Sequence, residues 1–388
     1  MSPRDYRGVA VTCPVTIPYA RSSDRPSQWF IGRALRALIE RAGIEKRAID
    51  GLATTSFTLG PDTTIALTEH FDLVPRWIEW IPTGGASGVM ALRRAARAVQ
   101  DGDCDIVACI AGDTTDRAAF GRLIRDFSTF STQAVYPYGA AGPNGSFALI
   151  TDNYMRRYSA TREDFGRIVC AQRDNARGNP NALLGAKPLD MAAYMAAPPI
   201  AEPIRLFDCV MPCAGAEAFL VMSDALAREL GLPHAGIRGA IERHNAYFDE
   251  PVAERGGWAM DRDSLYAQAS LGPGEIDCLQ TYDDYPVIAA MQIEDLGFCA
   301  KGDAPDFVRS RDLHIDGDFP FNTSGGQLAC GQAGAAGGFL PVVEALRQIT
   351  GQPLGRGVPG ARIALASGYG MITFDRCLAT GAAILEAL

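Results

Sequence analysis

With 388 residues, 47% of them hydrophobic and 21% charged, the chain carries enough apolar material for one large core or two fused smaller ones. Its formal charge of −9 is spread along the sequence and no basic run could track a phosphate backbone, which argues against nucleic acid as a partner. No stretch reaches the ~20 apolar residues needed to span a bilayer, and the opening MSPRDYRGVAV lacks the apolar run of an export leader, so a cytoplasmic protein is expected.

In chain order, WFIGRALRALIERAG (29–43) reads as an amphipathic helix feeding the buried strand IDGLATTSF (49–57). The glycine turn TGGASG (83–88) then opens a second helix, VMALRRAARAVQDG, which leads to the strand DIVACIAG (105–112). Residues from about 115 to 200 are rich in Pro, Gly and Asn and read as a loop-rich insertion that builds a lid or a subunit contact. Strands follow at AFLVM (218–222), IDCLQTY (276–282) and RIALAS (362–367), the last preceded by the helix GGFLPVVEALRQITG. Strands alternating with helices in this way predict the α/β class, a sheet covered by helices on both faces.

The two halves echo one another. ERAGIEKRAID leads into GLATTSF, and QASLGPGEID leads into CLQTYDD; TGGASG opens one helix-then-strand unit and NTSGGQLACGQAG opens another. The same unit is used twice, with lobes expected at 1–230 and 231–388 and the turn LGLPHAG between them. Each glycine cluster precedes a helix, where backbone N–H groups suit an anion such as a thioester enolate or a tetrahedral oxyanion; close helix-on-strand packing explains the glycines equally well.

Ten scattered cysteines form no CxxC pair and four histidines give a zinc site little to draw on, so free thiols and no metal are expected. Cys330 is weighed as a relocated nucleophile against an inert buried thiol, and His244 as a catalytic histidine against a structural one. Asp283 and Asp284 are adjacent and point apart, which argues against a carboxylate pair sharing one proton.

Four long segments carry a family resemblance: GGASG before ALRRAARAVQDGDCDIVACIAGD, EPIRLFDCVMPCAGAEAFLV, TYDDYPVIAAMQIEDLGFCAKG, and NTSGGQLACGQAGAAGG. Together they resemble the sterol-carrier-protein-type branch of the thiolase superfamily over nearly the whole chain. The resemblance implies a five-layer α-β-α-β-α fold with two similar lobes, a homodimer, and an acyl-CoA thioester bound where the lobes meet, with coenzyme A entering as part of the substrate and no other cofactor. It also implies a small OB-fold and zinc-ribbon protein as partner.

The chain departs from the family where thiolase chemistry resides. Gly85 stands where thiolases place the acyl-accepting cysteine, and Gln332, in Gly331-Gln332-Ala333, stands in place of the family histidine. Ala366 replaces the second cysteine and Tyr282 replaces the Asn or His of the remaining motif. Without a thiolate or its base, acyl-cysteine chemistry is not expected. The chain also resembles the thiolase-like aldolases that cleave steroid acyl-CoA side chains, which likewise lack the cysteine and histidine and carry a tyrosine where Tyr282 stands and a second where this chain has Gln332. PYG beside Tyr136 and Tyr138, LFDC around Cys209 and the residues near Cys299 extend that resemblance.

The resulting expectation is a carbon–carbon lyase acting on a β-hydroxyacyl-CoA, with Tyr282 moving the β-hydroxyl proton and Gln332 positioning a substrate oxygen or water. Gly85, Ser87, Gly368, Tyr369 and Gly370 join Cys330 and His244 as candidate substrate or oxyanion contacts. The alternatives are a non-catalytic acyl-CoA-binding subunit of a hetero-oligomer, and an acyltransferase using a relocated cysteine such as Cys330.

Overall fold

The computed structural model describes residues 5–115, 128–139, 142–372 and 376–388. In the first half, β1 (Val9–Ala20) is followed by α1 (Ser27–Ala42), β2 (Gly51–Thr55), α2 (Thr64–His70), β3 (Trp77–Trp80), α3 (Ser87–Asp101) and β4 (Ile106–Asp113). Helix α1 buries Phe30, Ile31, Ala34, Leu35, Leu38 and Ala42, the spacing of one helical face, and stops at Gly43 in the left-handed conformation. Helices α4 (Thr129–Ala134), α5 (Pro143–Tyr158), α6 (Arg162–Asn175) and α7 (Met191–Met195) come next, then a ribbon of β5 (Pro199–Ala201) and β6 (Ile204–Arg205), and β7 (Ala214–Ser223).

The second half runs α8 (Asp224–Glu229), β8 (His234–His244), α9 (Trp258–Ala269), β9 (Cys278–Gln280), α10 (Pro286–Asp295), α11 (Ala304–Ser310), α12 (Gly326–Cys330), α13 (Leu340–Ile349), β10 (Ile363–Ile372) and β11 (Cys377–Ala387). Strand order across the main sheet is β3-β2-β4-β7-β1-β8-β11-β10-β9. Outward from its centre the order is mirrored. β1, β7, β4 and β2 on one side correspond to β8, β11, β10 and β9 on the other, each set with two antiparallel junctions followed by a parallel one. Three paired positions join the halves, Ala10 with Gly236, Val11 with Ala235 and Thr12 with His234.

Helices α3 and α13 each touch strands of both halves, whereas α1 packs on β1, β4 and β7, and α9 on β8 and β11. The order is therefore helix, half-sheet, paired central helices, half-sheet, helix, the layering expected from the sequence. All ten residues of α13 are buried, as a helix enclosed by sheets on both sides must be. Val89, Met90, Leu92, Phe339, Val343 and Leu346 fill the central core.

The segment from 115 to 200 differs from its loop-rich expectation. Residues 116–127 and 140–141 lie outside the described residues, but α5 and α6 have 16 and 14 residues. The opening of α6 is fixed by a capping box, with the Asp164 carboxylate accepting from the Thr161 backbone N–H at 2.8 Å and from its hydroxyl at 2.8 Å. Among the described residues no helix is long and apolar enough to cross a membrane.

Candidate active site

The two glycine turns that open the central helices lie against each other. A Cβ on Gly338 would come within 2.6 Å of the Gly84 carbonyl oxygen, and one on Gly88 within 2.2 Å of the Gly338 carbonyl oxygen. Close helix packing therefore does require these glycines. Gly84, Gly85, Gly334 and Gly370 also line a cavity of about 360 Å³ whose wall is largely apolar and aromatic.

Tyr282 enters this cavity from the end of β9. Its backbone N–H donates to the Ser367 carbonyl at 3.1 Å, extending the pairing with β10, and its carbonyl accepts from Gln292 Nε2 at 2.7 Å. The phenol ring lies on the turn before α3: a Cβ on Gly85 would sit 2.2 Å from Tyr282 Cε2 and 2.2 Å from the Tyr369 carbonyl oxygen. No side chain fits at residue 85 while Tyr282 holds this position.

Gln332 reaches the same point from the other turn. Its backbone N–H donates to the Met211 carbonyl at 2.8 Å and its carbonyl accepts from Cys213 N–H at 2.9 Å, while its Nε2 donates to Tyr282 Oη at 2.9 Å. Tyr282 and Gln332, singled out from separate segments of the sequence, are thus bonded to one another. Burial, and then the neighbouring Asp284, push the Tyr282 phenol well above its ordinary value; the bond from Gln332 opposes this without reversing it.

The turn bearing Gln332 is held by Asp113, at the end of β4. Its Oδ1 accepts from Ser56 Oγ at 2.6 Å, from the backbone N–H groups of Phe57 and Thr58 at 2.8 Å each, and from Thr58 Oγ1 at 2.5 Å. Its Oδ2 accepts from Ala335 N–H at 2.7 Å, so one carboxylate links both halves. Gly334 must be glycine here, because its φ is +55° and a Cβ would fall 2.3 Å from Asp113 Oδ2.

The adjacent carboxyls do point apart. Asp283 turns to the start of α12, accepting from Gln327 N–H at 2.9 Å, Leu328 N–H at 3.3 Å and Gln172 Nε2 at 2.6 Å. Burial nonetheless pushes it up to about 7. Asp284 lies on the cavity wall beside Tyr282 and Tyr285, where burial and then Asp283 push its carboxyl well above the ordinary range. Tyr285 donates to Asn144 Oδ1 and stacks on Phe147 with centroids 3.9 Å apart.

Several candidates are corrected. His244 does not line the cavity; it ends β8 with its ring half exposed, bonded to Glu242 Oε1 at 2.8 Å. Cys330 does not line it either, since its thiol is buried behind the turn, donates to the Ser324 carbonyl at 3.2 Å, and is pushed well above its ordinary value by burial. Ser87 points away, donating to the Ile81 carbonyl at 3.0 Å, and Gly368 is packed under Gly85 and Ala86. Tyr369 does line the cavity, with its ring stacked 6.0 Å from Trp258.

Asp113, Asn144 and Asp284 were not recognised as cavity residues from sequence. The alternation that separates Asp283 from Asp284 was visible there, but it could not say which of the two faces the cavity. Of the cysteines, Cys209 and Cys213 reach the cavity; burial is the main cause that pushes Cys209 up to about 12, with Asp208 and Asp284 adding to it, and Cys213 is raised as well.

A family model described as thiolase C-terminal domain-like matches residues 243–381. A steroid side-chain-cleaving aldolase of Thermomonospora curvata is 30% identical over 370 residues, covering 92% of this chain and 93% of that protein. The chain belongs to the thiolase superfamily. Within it, the 17-hydroxy-3-oxo-4-pregnene-20-carboxyl-CoA lyase of Mycobacterium tuberculosis is 28% identical, covering 92% of this chain and 95% of that protein. The solved structure of an Ltp2-ChsH2(DUF35) aldolase superposes with a TM-score of 0.84 at 27% identity, covering 98% of each chain. The thiolase fold and the sterol-carrier-protein-type branch expected from the sequence both hold.

Proposed function

We propose that this thiolase-superfamily protein is a carbon–carbon lyase that breaks or forms the Cα–Cβ bond of a β-hydroxyacyl-CoA. One observation carries the reading: the Tyr282 ring fills the place of a side chain at residue 85 and its hydroxyl is bonded by Gln332 at 2.9 Å. An acyl-cysteine has no room to form there. The cavity thiols Cys209 and Cys213 are held protonated, so neither supplies the thiolate that acyl transfer needs.

In a retro-aldol step, negative charge gathers on the thioester oxygen as the enolate forms. A buried phenol with a raised pKa keeps its proton at neutral pH, and its oxygen already accepts from Gln332, which leaves the O–H to donate to that oxygen. Tyr282 is therefore read as the enolate-stabilising donor, in place of the proton carrier expected from sequence. Gln332 orients it, Gly85 leaves room for its ring, and coenzyme A enters only as part of the substrate.

Two copies associating through β3, the edge of the sheet where Ile78 is exposed, and a small OB-fold and zinc-ribbon partner complete the proposed assembly. The partner is supported by the similar solved aldolase, which is named for two components, Ltp2 and ChsH2(DUF35). Size measurement by light scattering, alone and after copurification from the host, tests both.

The activity is tested by incubating the purified protein with short 3-hydroxyacyl-CoA thioesters and with 17-hydroxy-3-oxo-4-pregnene-20-carboxyl-CoA, following products by mass spectrometry. A carbonyl product with a shortened acyl-CoA is expected. A covalent acyl-cysteine, or no cleavage of any thioester with or without a copurified partner, would sink the reading.

A further inference from the structure

Three carboxyls approach the cavity region, and their hydrogen bonding separates them. Asp113 accepts five bonds from Ser56, Phe57, Thr58 and Ala335, and Asp283 accepts three from Gln327, Leu328 and Gln172. Those two are occupied in holding loops together. Asp284 lies on the cavity wall, is only 8% exposed, and its Oδ1 has no hydrogen-bond partner among the described residues. A buried carboxyl oxygen left without a partner is costly and uncommon, and sites that do chemistry are where such a cost is tolerated.

From this placement we propose that Asp284 is the catalytic acid–base of the lyase, carrying one proton from the β-hydroxyl of the substrate to its α-carbon. The inference rests on the lyase reading above and assigns the proton that Tyr282 does not carry. The Asp284 carboxylate takes the β-hydroxyl proton, the Cα–Cβ bond breaks, and the β-carbon becomes a ketone or aldehyde. The electron pair of the broken bond passes to Cα and is delocalised onto the thioester oxygen. The neutral Asp284 carboxyl then returns the proton to Cα, releasing the shortened acyl-CoA and restoring the carboxylate. The steps balance without an oxidant, a reductant or a second acid.

The surroundings favour such a shuttle. The titratable groups facing Asp284 are Asp283, Tyr282 and Tyr285 on its own segment, Cys209 from the loop before β7, and Cys377 at the start of β11. None of these can carry a positive charge. A carboxylate in this setting is a stronger base than one in water, and once protonated it stays a competent acid near neutral pH. Tyr282, two residues earlier on the same cavity wall, would hold the thioester oxygen while Asp284 handles the proton.

The test uses the full-length protein and whichever 3-hydroxyacyl-CoA thioester the wild type cleaves. Asp284→Asn is expected to lower kcat on the order of 10²–10⁴-fold while KM and the calorimetric affinity for that thioester change little, and Asp284→Glu is expected to recover part of the loss. The wild-type kcat/KM should rise with pH along an acid limb of unit slope that the residual activity of Asp284→Asn lacks. Wild-type kcat in Asp284→Asn overturns the proposal, as does a loss confined to KM. If Asp284→Asn does not fold, the wild-type profile decides, because a flat kcat/KM from pH 5 to 9 is incompatible with the shuttle. An inactive wild type would overturn the lyase reading itself, whereas an active wild type with a fully active Asp284→Asn overturns only this assignment.

Discussion

Tyr282 and Gly85 occupy one space: the phenol ring lies where the β-carbon of any larger residue at 85 would have to be, with a nearest approach of 2.2 Å. Gly85→Ala should therefore destabilise the fold by about 2–3 kcal/mol, and Gly85→Cys should give no thiolase activity. The double variant Gly85→Ala with Tyr282→Gly should recover only part of the stability, because the Tyr369 carbonyl oxygen still lies 2.2 Å from the new carbon. Urea unfolding of the single and double variants measures this, and full additivity would show that the ring is not the obstacle.

Removing the two ends of the Tyr282–Gln332 bond should have unequal effects. Tyr282→Phe deletes the donor to the enolate and is expected to lower kcat on the order of 10²–10³-fold, the size found for a lost oxyanion donor. Gln332→Leu leaves the phenol in place without its partner and should cost about 1–1.5 kcal/mol in kcat/KM, roughly tenfold. Steady-state kinetics on the cleaved thioester checks the order; equal losses would mean that Gln332 itself touches the reacting atoms.

Asp113 ties the turn of Gln332 to the end of β4. Asp113→Ala strands the donors of Ser56, Phe57, Thr58 and Ala335. With ~1–3 kcal/mol for each buried group left unsatisfied, the loss in unfolding free energy should be about 3 kcal/mol or more. Hydrogen exchange should accelerate in residues 331–338 at least as much as anywhere else. Unchanged exchange there would remove Asp113 from its positioning role.

Stability should peak on the mildly acidic side. Burial raises Glu217 and Asp283 to about 7 and Asp295 to about 6, above their ordinary carboxylate values. A raised carboxyl binds its proton more tightly folded than unfolded, so stability is full below the unfolded value and falls as pH rises through the folded one. Carboxylates held low by partners, such as Asp164 and Glu242, lose their contribution only at lower pH. Tm should be higher near pH 5 than near pH 8. Glu217→Gln can still meet Thr16 and Tyr19 and should shrink that difference; a larger difference would contradict the sign.

Much of this was written in the sequence, and the parts that were not have physical causes. The runs 49–57, 105–112, 218–222, 276–282 and 362–367 each contain or overlap a strand, because strands buried on both faces are continuous apolar runs. Strands β1, β3, β8 and β11 of the main sheet were missed. Thr and Pro interrupt β1, Arg and Glu mark the half-exposed end of β8, and β11 is rich in Ala and carries a Gly, both of which are depleted in strands. The helices α5 and α6 were hidden by their neighbours, since the Pro, Gly and Asn that suggested loops lie mostly at their ends.

At the site, Tyr282, Gln332 and Gly85 were legible because each replaces a residue the family resemblance specifies. Cys330 and His244 were chosen on chemistry alone, and chemistry does not reveal which way a side chain turns. Cys330 is two positions before Gln332 yet faces the opposite side of its turn. Asp284 had the converse problem: its significance lies in one buried oxygen, Oδ1, that no group bonds, which no residue pattern encodes.

The three rungs between Ala10–Thr12 and His234–Gly236 make one ribbon of two half-sheets, and the paired glycine turns pack against each other and against β10 with no room for a side chain. The floor of the cleft therefore has a fixed width. Accommodating a bulkier or slimmer acyl chain falls to the outer wall, where Asn144, Phe147 and Cys209 are supplied by the stretch between β4 and β7. Re-tailoring this scaffold for another thioester should begin with that stretch and leave the seam untouched.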